Sequence, residues 1–331
     1  MPLEEEDLDT TGSSGPRVLI VILNWNSHEE TIEAVRSALK TQYANFRILV
    51  VDNGSTDGSV EALRRMDYEG VDLVELPENQ GFTGGCNLGL ERALEMGMQY
   101  VWLLNSDATT DPRTLGSMVR LAESDPSIGL VSPRIASMQE PTKNLDIGGL
   151  YDPAIPNFTP TKDLARIRDW AENKHRQLLL MGTALLIKMD LVRAIGLLDQ
   201  GMFAYWEDTD YSLRSVQAGF RNAIDFDTVI YHTDKIVGPR PYKLKPHYWY
   251  YMVRNEIRFW KKHASGEKRW KALWWAYRHK LIELKVMGPD RISRGAVLAG
   301  LWDGWLGRTG PYHPNRRMPR LVAALVERHS G

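Results

Sequence analysis

Several polar clusters in the chain hold side chains that could do chemistry. Asn105-Ser106-Asp107 follows an apolar run. A carboxylate there can hold a divalent cation bridging two phosphates, because Mg2+ and Mn2+ take oxygen ligands and keep several waters. The same tripeptide is also good turn chemistry at a strand end. Asp52 ends another apolar run and could accept a hydrogen bond from a base N–H. In the context Asp52-Asn53-Gly54-Ser55 an Asx turn accounts for it equally well. Glu207-Asp208-Thr209-Asp210 puts three carboxylates into four residues, beside Phe203, Tyr205 and Trp206. Crowding raises the pKa of at least one carboxylate, which suits a general base. An acidic first turn favoured by the helix dipole is the plainer reading. His232 follows a short apolar strand and is either a metal ligand or a capped surface histidine. The segment from Asn79 to Asn87 is glycine-rich, so its backbone can approach a ligand closely or simply feed a helix as a flexible loop. It matches neither a Walker A loop nor a G-x-G-x-x-G fingerprint.

The elements that carry these clusters follow a regular pattern. Residues 17–23, 46–51, 72–76 and 99–104 read as strands, mostly short apolar runs. Helices are expected at about 28–41, capped by Ser27, at about 59–66, and at 86–97 behind a flexible loop from Gly81 to Gly85. This alternation predicts a mostly parallel sheet flanked by helices. In such sheets ligands sit beyond the carboxyl ends of the strands, the edge where Asn24–Ser27, Asp52–Ser55 and Asn105–Asp107 all fall. A helix to about 123 and a strand at 128–131 follow. Residues 137–176 show no clear periodicity and read as an irregular loop or lid. Residues 178–188 open a second structured block, with helices at 190–195 and 208–218 and a strand at 227–231 that delivers His232.

Composition sets outer limits. The chain has 331 residues, 43% hydrophobic and 25% charged, enough for a large α/β domain with an appendage. A single cysteine, Cys86, cannot form an internal disulfide. No apolar run of about eighteen residues suggests a membrane span. Residues 1–16 are acidic, then small and polar, and are expected to be a disordered leader rather than a signal peptide. The net charge of −1 conceals an asymmetry: residues 235–331 hold 21 Lys and Arg against 6 Asp and Glu, and seven of the eleven tryptophans. Helices at 245–262 and 266–287 carry aromatic and basic residues at helical spacing, which fits either a membrane surface or ordinary packing on the domain. Residues 288–331, with a short amphipathic helix at about 318–328, are expected to pack on a neighbour or mediate a homo-oligomer.

The ordered set of motifs resembles family 2 glycosyltransferases of the GT-A fold, especially rhamnosyltransferase-type members. It comprises LNWNS at 23–27, VVDNGSTDGS at 50–59, ENQGFTGGCNLG at 78–89, LLNSDA at 103–108, MGTALLIK at 181–188, IGLLDQGMFAYWEDTDYSLR at 195–214 and VIYH at 229–232. The resemblance implies a catalytic domain over 17–240, with a nucleotide-binding half at 17–110 and an acceptor half at 111–240. A helical, basic extension then spans 241–331. It implies that Asp52 binds the donor base and that Asp107 is the metal ligand of a DXD-like motif whose first acid is replaced by Asn105. His232 would be a further ligand to Mg2+ or Mn2+, Asp208 the general base, and Asp210 a support for the helix or acceptor. Asn24, Asn79, Gly84, Asn87 and Arg254 fall in matching segments and are expected to bind the donor, Arg254 at its diphosphate. The implied reaction is an inverting single displacement from dTDP-rhamnose or a UDP-sugar to a saccharide or polyprenyl-linked acceptor. The implied setting is cell-surface polysaccharide synthesis in the cytoplasm, at the inner face of the cell membrane. A nucleotidyltransferase would instead place a basic glycine-rich loop where Asn24-Trp25-Asn26-Ser27 stands. A nucleic-acid-binding protein would leave the acidic strand ends without a purpose, so no nucleic acid partner is expected.

Overall fold

The computed structural model describes residues 15–145, 147–152, 157–233, 244–286 and 290–330. Most of the expected leader, 1–14, and the expected domain boundary near 240 lie outside them. The strands are β1 (Val18–Asn24), β2 (Phe46–Asp52), β3 (Val71–Glu75), β4 (Tyr100–Asn105), β5 (Ala108–Thr110), β6 (Ile128–Ser137), β7 (Gly148–Asp152), β8 (Asn157–Thr161), β9 (Leu178–Leu180), β10 (Ala184–Lys188) and β11 (Arg221–His232). The helices are α1 (His28–Ala38), α2 (Ser59–Leu63), α3 (Gly81–Glu95), α4 (Thr114–Ser124), α5 (Leu164–Asn173), α6 (Met189–Ile195), α7 (Glu207–Gln217), α8 (Pro246–His263), α9 (Gly266–Val286), α10 (Arg291–Leu306) and α11 (Arg320–Ser330).

Eight strands form one mixed sheet in the order β3-β2-β1-β4-β10-β6-β11-β5. Strands β1 to β4 are parallel, β10 runs antiparallel between β4 and β6, and β11 returns parallel to β6. Both faces are covered, so the strands read as continuous apolar runs. Along β1, Val18, Ile20 and Ile22 join the core under α1 and α4, while Leu19 and Val21 join the core under α3. This is the period-two alternation of a strand buried on both sides. The register sets Asn24 opposite Asp52 and Leu23 opposite Asn105, so the polar ends of β1, β2 and β4 meet along one edge.

The fold departs from expectation in four places. The segment 137–176 is not irregular: it holds β7, β8 and α5, and β7 pairs with β8 and β9 in a separate antiparallel sheet. Gly148 and Gly149 hid the strand pattern, yet they suit it, since a Cβ at Gly148 would lie 2.7 Å from the Leu179 carbonyl. The glycine-rich stretch after Gln80 is not a loop but the opening of α3. Tight packing explains its composition: a Cβ at Gly85 would meet Leu23 at 2.2 Å and one at Gly89 would meet Val21 at 2.6 Å. Helix α10 was not anticipated, because three glycines weaken its propensity. A Cβ at Gly300 would stand 2.7 Å from the Tyr250 carbonyl and one at Gly304 2.9 Å from that of Arg254, so these glycines let α10 cross α8 closely. Finally, Ser27 makes no side-chain cap on α1; its hydroxyl points to Asn24 Oδ1 instead.

The C-terminal helices share a core with the sheet domain. Trp249, Tyr250, Val253, Ile257 and Phe259 of α8 pack with Leu179, Met202 and Leu213. Among the described residues no helix is long and apolar enough to cross a membrane.

Candidate active site

At the β1–β2 end, Asp52 is fully buried. Its Oδ1 accepts from Asn24 Nδ2 at 2.7 Å and from Ser55 Oγ at 2.6 Å, and its Oδ2 accepts from Ser55 N at 3.0 Å. The Asx turn is therefore present, and a second lone pair of Oδ2 has no contact among these bonds. Asn24, expected to bind the donor, is fully buried and fully engaged. It donates to Asp52 and Ser55, and its Oδ1 accepts from Thr31 Oγ1 at 2.7 Å and from Ser27 Oγ at 3.5 Å. Its role is to stitch the two strand ends together. Ser55, at the centre of this knot, was not singled out from the sequence.

The next segment is held by paired amides. Asn53 Oδ1 accepts from Gln80 N, and its Nδ2 donates to the Gly81 carbonyl and to Asn79 Oδ1, which also caps Gly81 N at 2.7 Å. Two further donor-site expectations are corrected here. Asn87 is buried and spends both ends of its amide on the backbone of Leu198. Gly84 lies against Gln80, whose Cβ would be 2.5 Å from an added Cβ, so it serves packing rather than approach to a ligand. Gly81, at φ +78°, is also forced: a Cβ there would collide with the Phe203 carbonyl at 2.4 Å.

Asn105, Asp107 and His232 come together as expected. His232 Nε2 lies 3.0 Å from Asp107 Oδ1 and 3.5 Å from Asn105 Nδ2, because β11 pairs antiparallel with β5 and sets His232 opposite Ala108. Asp107 is nearly buried and His232 about one-fifth exposed. Among the described residues no set of three His, Cys, Asp or Glu side chains converges as a closed metal cage. One carboxylate, one imidazole and a neighbouring amide is nonetheless a donor set that fits a hard divalent cation, which is commonly held by one or two protein oxygens plus substrate phosphates.

Asp208 is linked to the Asn105 end of this cluster through the backbone of residues 182–183. Gly182 N donates to Asp208 Oδ2 at 2.8 Å, while the next carbonyl, that of Thr183, accepts from Asn105 N at 3.0 Å. Asp208 Oδ1 accepts from Thr209 N at 2.6 Å and Thr209 Oγ1 at 3.2 Å. Burial raises the Asp208 pKa, opposed by these N–H and O–H donors. Its neighbour Glu207 is buried, its Oε2 has no partner, and desolvation followed by the charges of Asp208 and Asp210 lifts its pKa well above the carboxylate range. Asp210 is opposite in kind. Burial alone would raise its pKa, but the His263 hydrogen bond and the charges of Lys262 and Arg214 bring it to about 2. It is a fully buried structural anion, not an acid–base group. Asp208 alone of the three combines partial exposure with a raised pKa.

The loop before α7 is strained. Phe203, Tyr205 and Trp206 have φ of 64°, 67° and 71°, a region that costs non-glycine residues. Helix α8 holds it. Asn255 Nδ2 reaches the carbonyls of Met202 at 2.8 Å, Ala204 at 2.8 Å and Tyr205 at 2.7 Å. Arg254 is fully buried and donates to the carbonyls of Gly201, Met202 and Gly310 and to Asn255 Oδ1. The expectation that Arg254 touches a diphosphate is therefore corrected: its guanidinium is spent on backbone carbonyls. One helical face carries Arg254, Arg258 and Lys262 at spacing four, and the latter two pin Asp199. These bracing roles and that of Gly182 were missed in the sequence, where only a repeated spacing of basic residues hinted at them.

Residues 19–171 match the model of Glycosyl transferase family 2. The succinoglycan biosynthesis protein ExoO of Rhizobium meliloti is 27% identical over 46% of this chain, which spans only 39% of that protein. The dTDP-rhamnosyl transferase RfbF of Shigella flexneri is 23% identical over 72% of this chain and 78% of its own length. Among solved structures, the mannosyltransferase PcManGT of Pyrobaculum calidifontis, in complex with GDP-Man and Mn2+, superimposes with a TM-score of 0.56 at 16% identity, over 98% of this chain and 83% of that one. The likeness establishes the GT-A fold.

Proposed function

We propose that this chain is a hexosyltransferase that moves a sugar from a nucleotide-diphosphate donor to an acceptor hydroxyl by an inverting single displacement. The observation that carries the reading is the bridge at residues 182–183. It ties a partly exposed carboxylate of raised pKa, Asp208, to the strand end that carries Asn105 and Asp107. Asp208 takes the proton from the acceptor hydroxyl as that oxygen bonds to the anomeric carbon. The bond from that carbon to the diphosphate breaks on the opposite face. The N–H donors of Gly182 and Thr209 keep the carboxylate oriented, and its raised pKa makes it a stronger base than an exposed aspartate. Asp107, His232 and, through water, Asn105 would hold Mg2+ or Mn2+, which would neutralise charge gathering on the leaving diphosphate. The remaining lone pair of Asp52 Oδ2 is suited to a base N–H, with Asn79 as a further donor contact at the same edge.

The name of the Shigella relative supports a dTDP-rhamnose donor; a UDP-sugar is the other donor class the reading admits. The name of the Rhizobium relative supports a place in polysaccharide synthesis; on this reading the acceptor is a saccharide or polyprenyl-linked saccharide, used in the cytoplasm. The test is a donor screen read by product mass spectrometry, with Asp208→Asn alongside. The variant is expected to lose transfer by about 10²-fold or more, while donor affinity stays within a few-fold. Wild-type turnover by Asp208→Asn would remove Asp208 from the base role.

A further inference from the structure

Helix α9 turns an aromatic face to solvent. Trp270, Trp274 and Trp275 are 61%, 50% and 49% exposed, and Ile282 on the same side is 56% exposed. Trp305, at the end of α10, is 52% exposed and stands 6.1 Å from Trp270, ring to ring, with exposed Leu306 beside it. The opposite side of α9 buries Ala272, Leu273, Ala276 and Leu284, so the tryptophans are not needed to hold the helix to the domain. Single exposed apolar residues are ordinary, but a contiguous group of four tryptophans marks an interaction surface.

The charges around them identify the partner. Lys268, Lys271, Arg278 and Lys285 lie on the same exposed side of α9. Glu267, the acid exposed there, is paired with Lys271. The Arg278 guanidinium sits 4.8 Å from the Trp274 ring and 6.0 Å from the Trp275 ring, and the Lys261 ammonium 5.9 Å from Trp305. Cations are thus interleaved with indoles rather than excluded from them. The core of a protein interface is depleted in lysine. A bilayer interface takes both, with indole rings at headgroup depth and Lys and Arg toward lipid phosphates.

We infer that the outer face of α9, continued by Trp305, docks on an anionic bilayer surface. Each Lys or Arg near such a surface strengthens partitioning about fivefold; with Lys271 offset by Glu267, a net of three positive charges gives a preference for anionic over neutral lipid on the order of 10²-fold at most, less as salt rises.

The test uses the full chain with vesicles of phosphatidylcholine alone and with added phosphatidylglycerol. Expected results are co-sedimentation with the anionic vesicles, a blue-shifted tryptophan emission, and quenching by brominated lipid. Trp274→Ser with Trp275→Ser is expected to weaken binding about tenfold or more. Lys268→Glu with Lys271→Glu should erase the anionic preference. The far-ultraviolet melting curve and the nucleotide-linked thermal shift of both variants should match wild type, which separates this surface from the transferase reading. No binding at millimolar anionic lipid, or wild-type binding by the tryptophan variant, would overturn the inference. So would a dimer in light scattering that the tryptophan variant disperses while neither protein binds vesicles, for the face would then be a protein interface.

Discussion

Replacing Asn255 by alanine removes one amide that serves the carbonyls of Met202, Ala204 and Tyr205 and accepts from Arg254 Nε. Met202 keeps its bond from Arg254 Nη2, so two carbonyls and one guanidinium N–H lose a partner. A buried polar group left unsatisfied costs about 1–3 kcal/mol, which puts the upper end of the loss for these three groups near 9 kcal/mol. Relaxation limits it. Phe203, Tyr205 and Trp206 hold strain of about 1–3 kcal/mol each, and a freed loop can recover part of it by leaving positive φ. The balance is a destabilisation of about 2–4 kcal/mol. The functional effect should exceed the stability effect, because the loop runs directly into α7 and sets the position of Asp208. A displacement of about 1 Å at a reacting group costs on the order of 10²-fold in rate. Urea midpoints and steady-state transfer assays on a folded preparation measure both. The expected pattern is a lower kcat with the donor KM nearly unchanged, since Asp52 is held by Asn24 and Ser55 and Asn79 by Asn53 rather than by Asn255. A stability change below about 0.5 kcal/mol, the scale of ordinary surface substitutions, with unchanged kcat would refute the idea that α8 positions the catalytic loop.

Other outcomes follow from the same geometry. Asp107→Ala should abolish the extra thermal stabilisation that Mn2+ confers in the presence of nucleotide; an unchanged Mn2+-linked shift would exclude Asp107 as a ligand. Gly182→Ala places a Cβ 3.0 Å from Asp208 Cβ, so it should lower kcat while leaving the urea midpoint close to wild type; equal kcat would mean that the contact yields without moving the carboxylate. Asp210 has its folded pKa depressed to about 2. Its contribution, about 2 kcal/mol from a shift of that size, is therefore complete above the unfolded value of about 3.9 and fades as pH falls toward 2. Asp210→Asn should flatten the acid limb of stability against pH, measured by urea midpoints between those limits. Glu207, with a raised folded pKa, works in the other direction. It weakens the fold as pH rises above the unfolded value, so Glu207→Gln should help more at pH 8 than at pH 5.

The strands that build the site were legible because their signal is local. An apolar run such as 18–22 must be buried on both faces, and the polar residue that ends it must emerge at the sheet's edge. Asn24, Asp52 and Asn105 were placed correctly by that reasoning, and the register confirms that they share an edge. What each does was not legible. Asn24 and Asn87 look like ligand-binding amides, yet each has its hydrogen bonds consumed by the fold. Arg254 looks like a phosphate-binding cation, yet the carbonyls of Gly201, Met202 and Gly310 claim its donors. The glycines of α3 and α10 read as breakers because helix propensity counts their entropy and cannot see the strand or helix packed against them. Sequence alone thus determined the four parallel strands β1 to β4, that the polar ends of β1, β2 and β4 lie together, and which acids cluster. Only the tertiary structure decided that Asp208 is oriented while Asp210 is locked, and that α8 restrains the loop between them and the donor edge. Hydrogen-bond partners far apart in the chain, such as Asn255 with Ala204 or Gly182 with Asp208, leave no periodic trace, so their pairing exists only once the chain has folded.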